Sequence, residues 1–276
     1  MPAPDLASWR DRPLIVTRPA PDAQRWADQL GQRGLAAEAL PLLEIAAADD
    51  LTPARTVWAR LADYAALMFV SGNAVTYFFS ARPANAPALS PQLRFMAPGP
   101  GTAKVLVAHG VPAAQIDTPA GNASQFDSEA LWQVVGARAW AGQRVLIVRG
   151  QSGQSGQSGD APDASAPGRQ WLAAQFENAG ASVEFVVVYQ RRVPRFSPAQ
   201  LQRMADSRHD GSVWLFSSSE ALDGLPRLTG GDWSQARAIA THPRIASAVR
   251  AAGWGVVIES RPALDDIVAS IESLHP

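Results

Sequence analysis

The run V-E-F-V-V-V-Y-Q-R at Val183 to Arg191 has a counterpart near the N-terminus, L-A-A-E-A-L-P-L-L-E-I at Leu35 to Ile45. At a constant offset of 146 residues Trp26 falls on Leu172, Leu30 on Phe176, Gly34 on Gly180, Glu38 on Glu184 and Ser71 on Ser217. Leu14-Ile15-Val16 recurs as Leu146-Ile147-Val148. A helix face, a glycine turn and a serine that share one spacing mark a duplicated unit. Two similar lobes usually enclose one cleft, and function is expected there.

Local patterns say what is duplicated. Pro13 to Thr17 reads as a short buried strand, and Ala23 to Gly31 has helical spacing with Trp26 and Leu30 on one face. Gly34 breaks the chain before the next strand, so residues 13–45 form one β-α-β unit. The pattern continues with strand Ala66 to Val70, turn Ser71-Gly72-Asn73 and helix Ala74 to Phe79. Strand Leu93 to Met96 leads through Pro98-Gly99-Pro100-Gly101 into helix Thr102 to His109, and Leu131 to Trp140 is helical. The second copy begins with strand Arg144 to Val148 and helix Arg169 to Ala179. Strand Val213 to Phe216 follows, then turn Ser217-Ser218-Ser219 and helix Glu220 to Leu225, strand Ala236 to Ala240 and helix Ile245 to Ala252. This alternation predicts an α/β fold of parallel sheets covered on both faces. The low-complexity stretch 151–168, with its tandem Gln-Ser-Gly, has nothing to bury. It falls inside a β-α-β unit, which makes it a surface-loop expansion and not a linker.

Ligands of such sheets bind outside the carboxyl ends of the strands. Four strand-to-helix turns sit there: Thr17-Arg18-Pro19, Ser71-Gly72-Asn73, Gly99-Pro100-Gly101-Thr102 and Ser217-Ser218-Ser219. Any one hydroxyl in them is explained by helix capping. Taken together, the free N–H groups and positive helix ends suit a polyanionic ligand. Arg18, Arg149, Arg169, Arg191 and Arg244 fall at or beside loops, where converging guanidinium groups would give bidentate carboxylate recognition. Tyr189 is either an edge-strand aromatic or a phenol that serves a leaving hydroxyl.

Other chemistries are excluded or unsupported. With no cysteine, disulfides, thiolate catalysis and Cys-ligated metals are ruled out. His109, His209, His242 and His275 show no metal-ligand spacing. Gly99-Pro-Gly-Thr-Ala-Lys104 misses the dinucleotide fingerprint because Lys104 stands where the third glycine belongs, and no Walker A motif or G-x-S-x-G elbow occurs. A net charge of −1 argues against a general nucleic-acid binder. No apolar run approaches the roughly 18 residues of a membrane span and no signal peptide is visible, so the expectation is a cytoplasmic protein.

In order and spacing these pieces resemble the uroporphyrinogen-III synthase family, over about Pro13 to Leu274. The resemblance is carried by L-I-V-T-R-P at Leu14 to Pro19, F-V-S-G-N-A-V at Phe69 to Val75 and G-T-A at Gly101 to Ala103. It continues with V-R-G at Val148 to Gly150, V-V-Y-Q-R at Val187 to Arg191, L-F-S-S-S at Leu215 to Ser219 and a helix ending in R-A-A-G. It implies two flavodoxin-like lobes joined by a two-stranded ladder, Leu40 to Ile45 against Val183 to Tyr189. One lobe would take residues 1–43 plus 190–276 and the other 44–189. It implies cofactor-independent cyclisation of hydroxymethylbilane, a linear octacarboxylate, to uroporphyrinogen III, with loss of water and inversion of the last ring. Tyr189 takes the family's tyrosine position. Substrate contacts carry over to Thr17, Arg18, Ser71, Gly72, Asn73, Ala74, Gly101, Thr102, Ala103, Arg149, Gly150, Ser217, Ser218, Ser219, Pro243 and Arg244. The chain departs from the family at His242-Pro243-Arg244, where glycine and threonine are more usual, which puts Arg244 and His242 in the place of hydroxyl contacts. A monomer is expected, with hydroxymethylbilane synthase as a transient upstream donor and no nucleic-acid or membrane partner. The competing readings are a non-enzymatic two-lobed binder of a small polyanion and a catalytically silent tetrapyrrole-binding regulator.

Overall fold

The computed structural model describes residues 9–120, 127–152, 167–222, 225 and 230–273, with the backbone alone for 167–169. Contacts divide the chain into two compact units, Met1–Glu44 with Arg192–Pro276, and Ile45–Arg191.

The first unit is built on a five-stranded sheet in the order β11-β10-β9-β1-β2, from β1 (Leu14–Val16), β2 (Ala37–Ala39), β9 (Val213–Phe216), β10 (Arg237–Ala240) and β11 (Val256–Glu259). All its pairings are parallel. Its helices are α1 (Asp22–Gly31), α7 (Pro198–Asp206), α8 (Pro243–Ala251) and α9 (Leu264–Glu272). β1 and β9 read as unbroken apolar runs because both of their faces are covered, as central strands of parallel sheets require. One face packs Ile15, Trp214 and Phe216 with Trp233 and Trp254, and the other packs Leu14, Val16 and Leu215 with Trp26, Leu30 and Ile267.

The second unit has the order β3-β8-β7-β4-β5-β6, from β3 (Glu44–Ala47), β4 (Ala66–Phe69), β5 (Arg94–Met96), β6 (Ile116–Asp117), β7 (Arg144–Ser152) and β8 (Ser182–Arg192). Its helices are α2 (Thr52–Ala59), α3 (Gly72–Ser80), α4 (Pro100–Ala108), α5 (Ser128–Val135) and α6 (Pro167–Asn178). Setting β7 against β1, β8 against β2 and β4 against β9 gives both sheets the same flavodoxin-like strand order, with β3 added beyond β8. The duplication extends to hydrogen bonds. Gly34 and Gly180 are both in the left-handed region, at φ 78° and 86°. Each lets the next residue's N–H reach back across the helix end, Leu35 to the Leu30 carbonyl and Ala181 to the Phe176 carbonyl.

The chain leaves the first unit within β3 and returns within the neighbouring β8. The paired segment differs from the expected Leu40 to Ile45. Leu40 and Leu42 donate to the Val16 and Thr17 carbonyls and stay with the first unit, and β3 starts only at Glu44. Pro41, which lacks an N–H, separates the two strands. Of the Gln-Ser-Gly stretch, residues 153–166 lie outside the described residues; β7 continues to Ser152 and α6 begins at Pro167. The helix expected over Leu131 to Trp140 ends at Val135, where Gly136 follows and the Trp140 indole donates to the Val135 carbonyl.

Candidate functional site

The carboxyl ends of β7 and β4, the point where strand order reverses in the second sheet, carry its most constrained geometry. β7 and β8 pair regularly to Arg149 opposite Val187, after which Gly150 faces Tyr189 and Val188 is the extra residue of a bulge. A bulge re-aims the side chains that follow it. Here it puts Val188 and Tyr189 together in the core shared with α3, and the Tyr189 ring lies over Gly150. A Cβ at residue 150 would stand 2.7 Å from Cε1 of that ring and nearer still to Cζ and Cε2. Glycine is required there by proximity. Tyr77 of α3 stacks on the same ring at 5.9 Å between ring centroids, its own hydroxyl donating to the Ile45 carbonyl.

The ring delivers its phenol oxygen to Ser71. Ser71 is the N-cap of α3: its Oγ accepts from the Ala74 N–H at 3.2 Å and lies 3.3 Å from Tyr189 Oη. Gly72 lets the start of α3 approach α4, since a Cβ there would meet Val105 Cγ2 at 3.2 Å. The turn that opens α4 has Gly99 as N-cap with Thr102 buried, and the Ala103 N–H returns to the Gly99 carbonyl. Asn73 and Gly101 occupy the exposed first turns of α3 and α4, and Lys104 is exposed on α4.

Arg149 lies 5.2 Å over the Phe185 ring, and its Nε is buried with no hydrogen-bond partner among the described residues. A donor buried this way costs about 1–3 kcal/mol unless something accepts from it. A cavity of about 450 Å³ adjoins on the face of β8 opposite Tyr189, lined by Asp49, Asp50, Gln151, Phe185 and Val187 among others. Its two aspartates make it a poor host for carboxylates. Asp49 accepts from the Gln190 amide and Asp50 from the Thr52 N–H.

In the first unit the corresponding strand ends are those of β1 and β9. Thr17 is buried and its hydroxyl donates to the Leu215 carbonyl at 2.7 Å, so that proton ties β1 to β9. Arg18 stacks 4.3 Å over Trp26; burial pushes its guanidinium below the ordinary range, with Asp22 opposing and Arg25 adding to the drop. Ser217, Ser218 and Ser219 are half-buried. Ser218 Oγ accepts from the Glu220 N–H, and the helix expected over Glu220 to Leu225 opens as a 3-10 turn at Ser219–Leu222; residues 223–224 lie outside the described residues and Leu225 is helical. His242 caps α8 by accepting the Arg244 N–H on Nδ1 at 3.1 Å, leaving Pro243 and the Arg244 side chain exposed. The side chain of Arg169 lies outside the described residues.

Proximity within the second unit thus joins Tyr189, Ser71, Ala74 and Gly150 and sets Arg149 on the neighbouring strand. Thr17, Arg18, the three serines, Pro243 and Arg244 belong to the first unit. Sequence reasoning missed Tyr77, whose place in an apolar helix resembles an ordinary core position.

A family model described as Uroporphyrinogen-III synthase HemD matches residues 24–269 of the chain. Among solved structures, the uroporphyrinogen-III synthetase of Helicobacter pylori 26695 is 16% identical with a TM-score of 0.57, over 96% of this chain and 100% of that one. A mutant uroporphyrinogen III synthase of the extremely thermophilic bacterium Thermus thermophilus is 14% identical with a TM-score of 0.55, over 95% and 98%. At these identities the structural likeness concerns the fold.

Proposed function

The chain belongs to the uroporphyrinogen-III synthase family of tetrapyrrole biosynthesis, and on that premise we propose that it closes hydroxymethylbilane into uroporphyrinogen III with loss of water. The observation that carries the assignment of roles is the Tyr189 phenol, fixed by Gly150 and Tyr77 and held 3.3 Å from Ser71 Oγ at a helix N-terminus.

The reaction needs a proton for the departing hydroxyl. Tyr189 gives its phenolic proton to that oxygen, the C–O bond breaks, and water leaves an electron-poor azafulvenium cation. The phenolate remains beside Ser71 and the positive end of α3, then takes up the proton released when the closing pyrrole regains aromaticity. Ring closure proceeds through a spiro intermediate that inverts the last ring. Most of the remaining acceleration comes from holding a flexible chain in a reactive conformation. The substrate's carboxylates suit the exposed first turns of α3 and α4 and the guanidinium group of Arg149. Arg149, whose Nε has no hydrogen-bond partner among the described residues, supplies a guanidinium on β7 for one of them. The step is that of a cyclising carbon–oxygen lyase.

The test supplies freshly generated hydroxymethylbilane, oxidises the product and separates the isomers by chromatography. A dominant III isomer is expected. Isomer I alone, at the uncatalysed rate, would refute the assignment.

A further inference from the structure

We infer that Ser71 is a positioning residue for the reaction: it aims the Tyr189 phenol and donates to the phenolate once the proton has gone. This rests on the reading of Tyr189 as proton donor. A serine hydroxyl has one proton and two acceptor lone pairs. On Ser71 one lone pair is already taken by the Ala74 N–H, which fixes the oxygen on the axis of α3. What remains is a proton and a second lone pair, and Tyr189 Oη at 3.3 Å is within reach of both.

The ring itself has little freedom, with Gly150 beneath it and Tyr77 stacked against it. The phenolic hydrogen is the part still free to turn. Before proton transfer Ser71 can accept from Tyr189 or leave that hydrogen pointing at the substrate. Afterwards it can turn its own hydrogen onto the phenolate oxygen without either heavy atom moving. Through the same atom the N-terminal dipole of α3, a helix of nine residues, acts on the developing negative charge. A plain cap would need only the acceptor. The second task needs the hydrogen as well, and that separates the two roles by experiment.

Four variants are compared in the isomer-resolved assay, with thermal melting as the check on folding: Ser71→Ala, Ser71→Thr, Ser71→Asp and Tyr189→Phe, plus the double variant Ser71→Ala/Tyr189→Phe. Ser71→Ala is expected to lower kcat about tenfold, comparable with Tyr189→Phe, with KM within about twofold. Ser71→Thr, which keeps cap and hydrogen, recovers most of the parent kcat. Ser71→Asp keeps the cap but has no hydrogen to donate when ionised, so it melts like the parent and is as slow as Ser71→Ala or slower. The double variant is no slower than Tyr189→Phe alone, because the two groups act as one. Parent-like turnover of Ser71→Ala or Ser71→Asp beside a slow Tyr189→Phe overturns the role of the serine and leaves that of the tyrosine standing. Losses that multiply in the double variant overturn the coupling as well. Parent-like turnover of Tyr189→Phe removes the tyrosine itself, and the inference with it.

Discussion

Replacing Gly150 by alanine adds one methyl group, yet it strikes the most crowded point of the candidate site. The new Cβ would lie 2.7 Å from Cε1 of Tyr189 and nearer to Cζ and Cε2, where carbon atoms prefer about 3.5 Å. The ring must therefore retreat by roughly 1 Å, within a buried core where Tyr77 already stacks on it at 5.9 Å. Gly150 is not among the glycines with positive φ, so alanine meets no backbone penalty and the whole cost is overpacking. For a buried ring this is about 2–3 kcal/mol, measured as a lowered urea midpoint at unchanged slope. A displaced ring also carries its oxygen away from Ser71, so turnover falls with stability. The cycle with Tyr189→Ala isolates the cause. That substitution alone costs about 3–5 kcal/mol as a cavity, but within it Gly150→Ala becomes neutral or slightly stabilising. If Gly150→Ala lies within about 0.5 kcal/mol of the parent, or costs the same with and without the Tyr189 ring, then that ring is not what excludes a side chain at residue 150.

Three further outcomes are expected. Arg149→Ala raises KM for hydroxymethylbilane by about tenfold or more with little change in kcat, since a charged hydrogen bond contributes about 1.5–3 kcal/mol; an unchanged KM removes the proposed carboxylate contact. Gly34→Ala and Gly180→Ala each destabilise by about 1–2 kcal/mol through their left-handed backbone, and equal melting temperatures would contradict the matched helix ends. Asp117, buried between Arg138 and Arg94, has its carboxyl held below the ordinary range. Burial alone would raise it, but the arginine hydrogen bonds and charges outweigh that. Its contribution is therefore complete at neutral pH and lost as the pH falls below about 4. Asp117→Asn costs about 2–4 kcal/mol at pH 7, discounted from a fully buried pair because both arginines are about a third exposed. In urea titrations its deficit from the parent narrows in acid, and a deficit that widens in acid would refute the sign.

What the chain discloses before folding is what repeats or what punctuates. The apolar triplets of β1 and β7, the glycines following α1 and α6, and the capping hydroxyl of Ser71 are local signals, and the structure uses each as read. α4 and α8 instead start at Pro100 and Pro243, two residues before the expected Thr102 and Ile245, because Gly99 and His242 serve as their N-caps. The misses have equally local causes. β6 spans two residues, too short to show any period. α7 is mostly polar and buries Met204 alone, so no apolar stripe betrays it. The boundary between β2 and β3 lay hidden in one apolar run that the structure divides at Pro41. The candidate site was legible in residue types and not in geometry. Ser71 and Tyr189 are 118 residues apart, and their approach depends on the bulge opposite Gly150, a property of strand register that neither strand carries alone.

The threading of the chain has a consequence for how the protein is made. The second unit is a continuous stretch, Ile45–Arg191, while the first waits for both of its pieces. When β1 leaves the ribosome it can pair with β2 at once, but its other neighbour is β9, and the Thr17 hydroxyl finds its acceptor only 198 residues later. During that interval β1 presents an apolar edge with no strand beside it, the kind of surface that recruits other chains. Synthesis thus completes the second unit first and leaves β1 as the segment most in need of protection, which places the aggregation hazard of this protein in the interval between the making of β1 and that of β9.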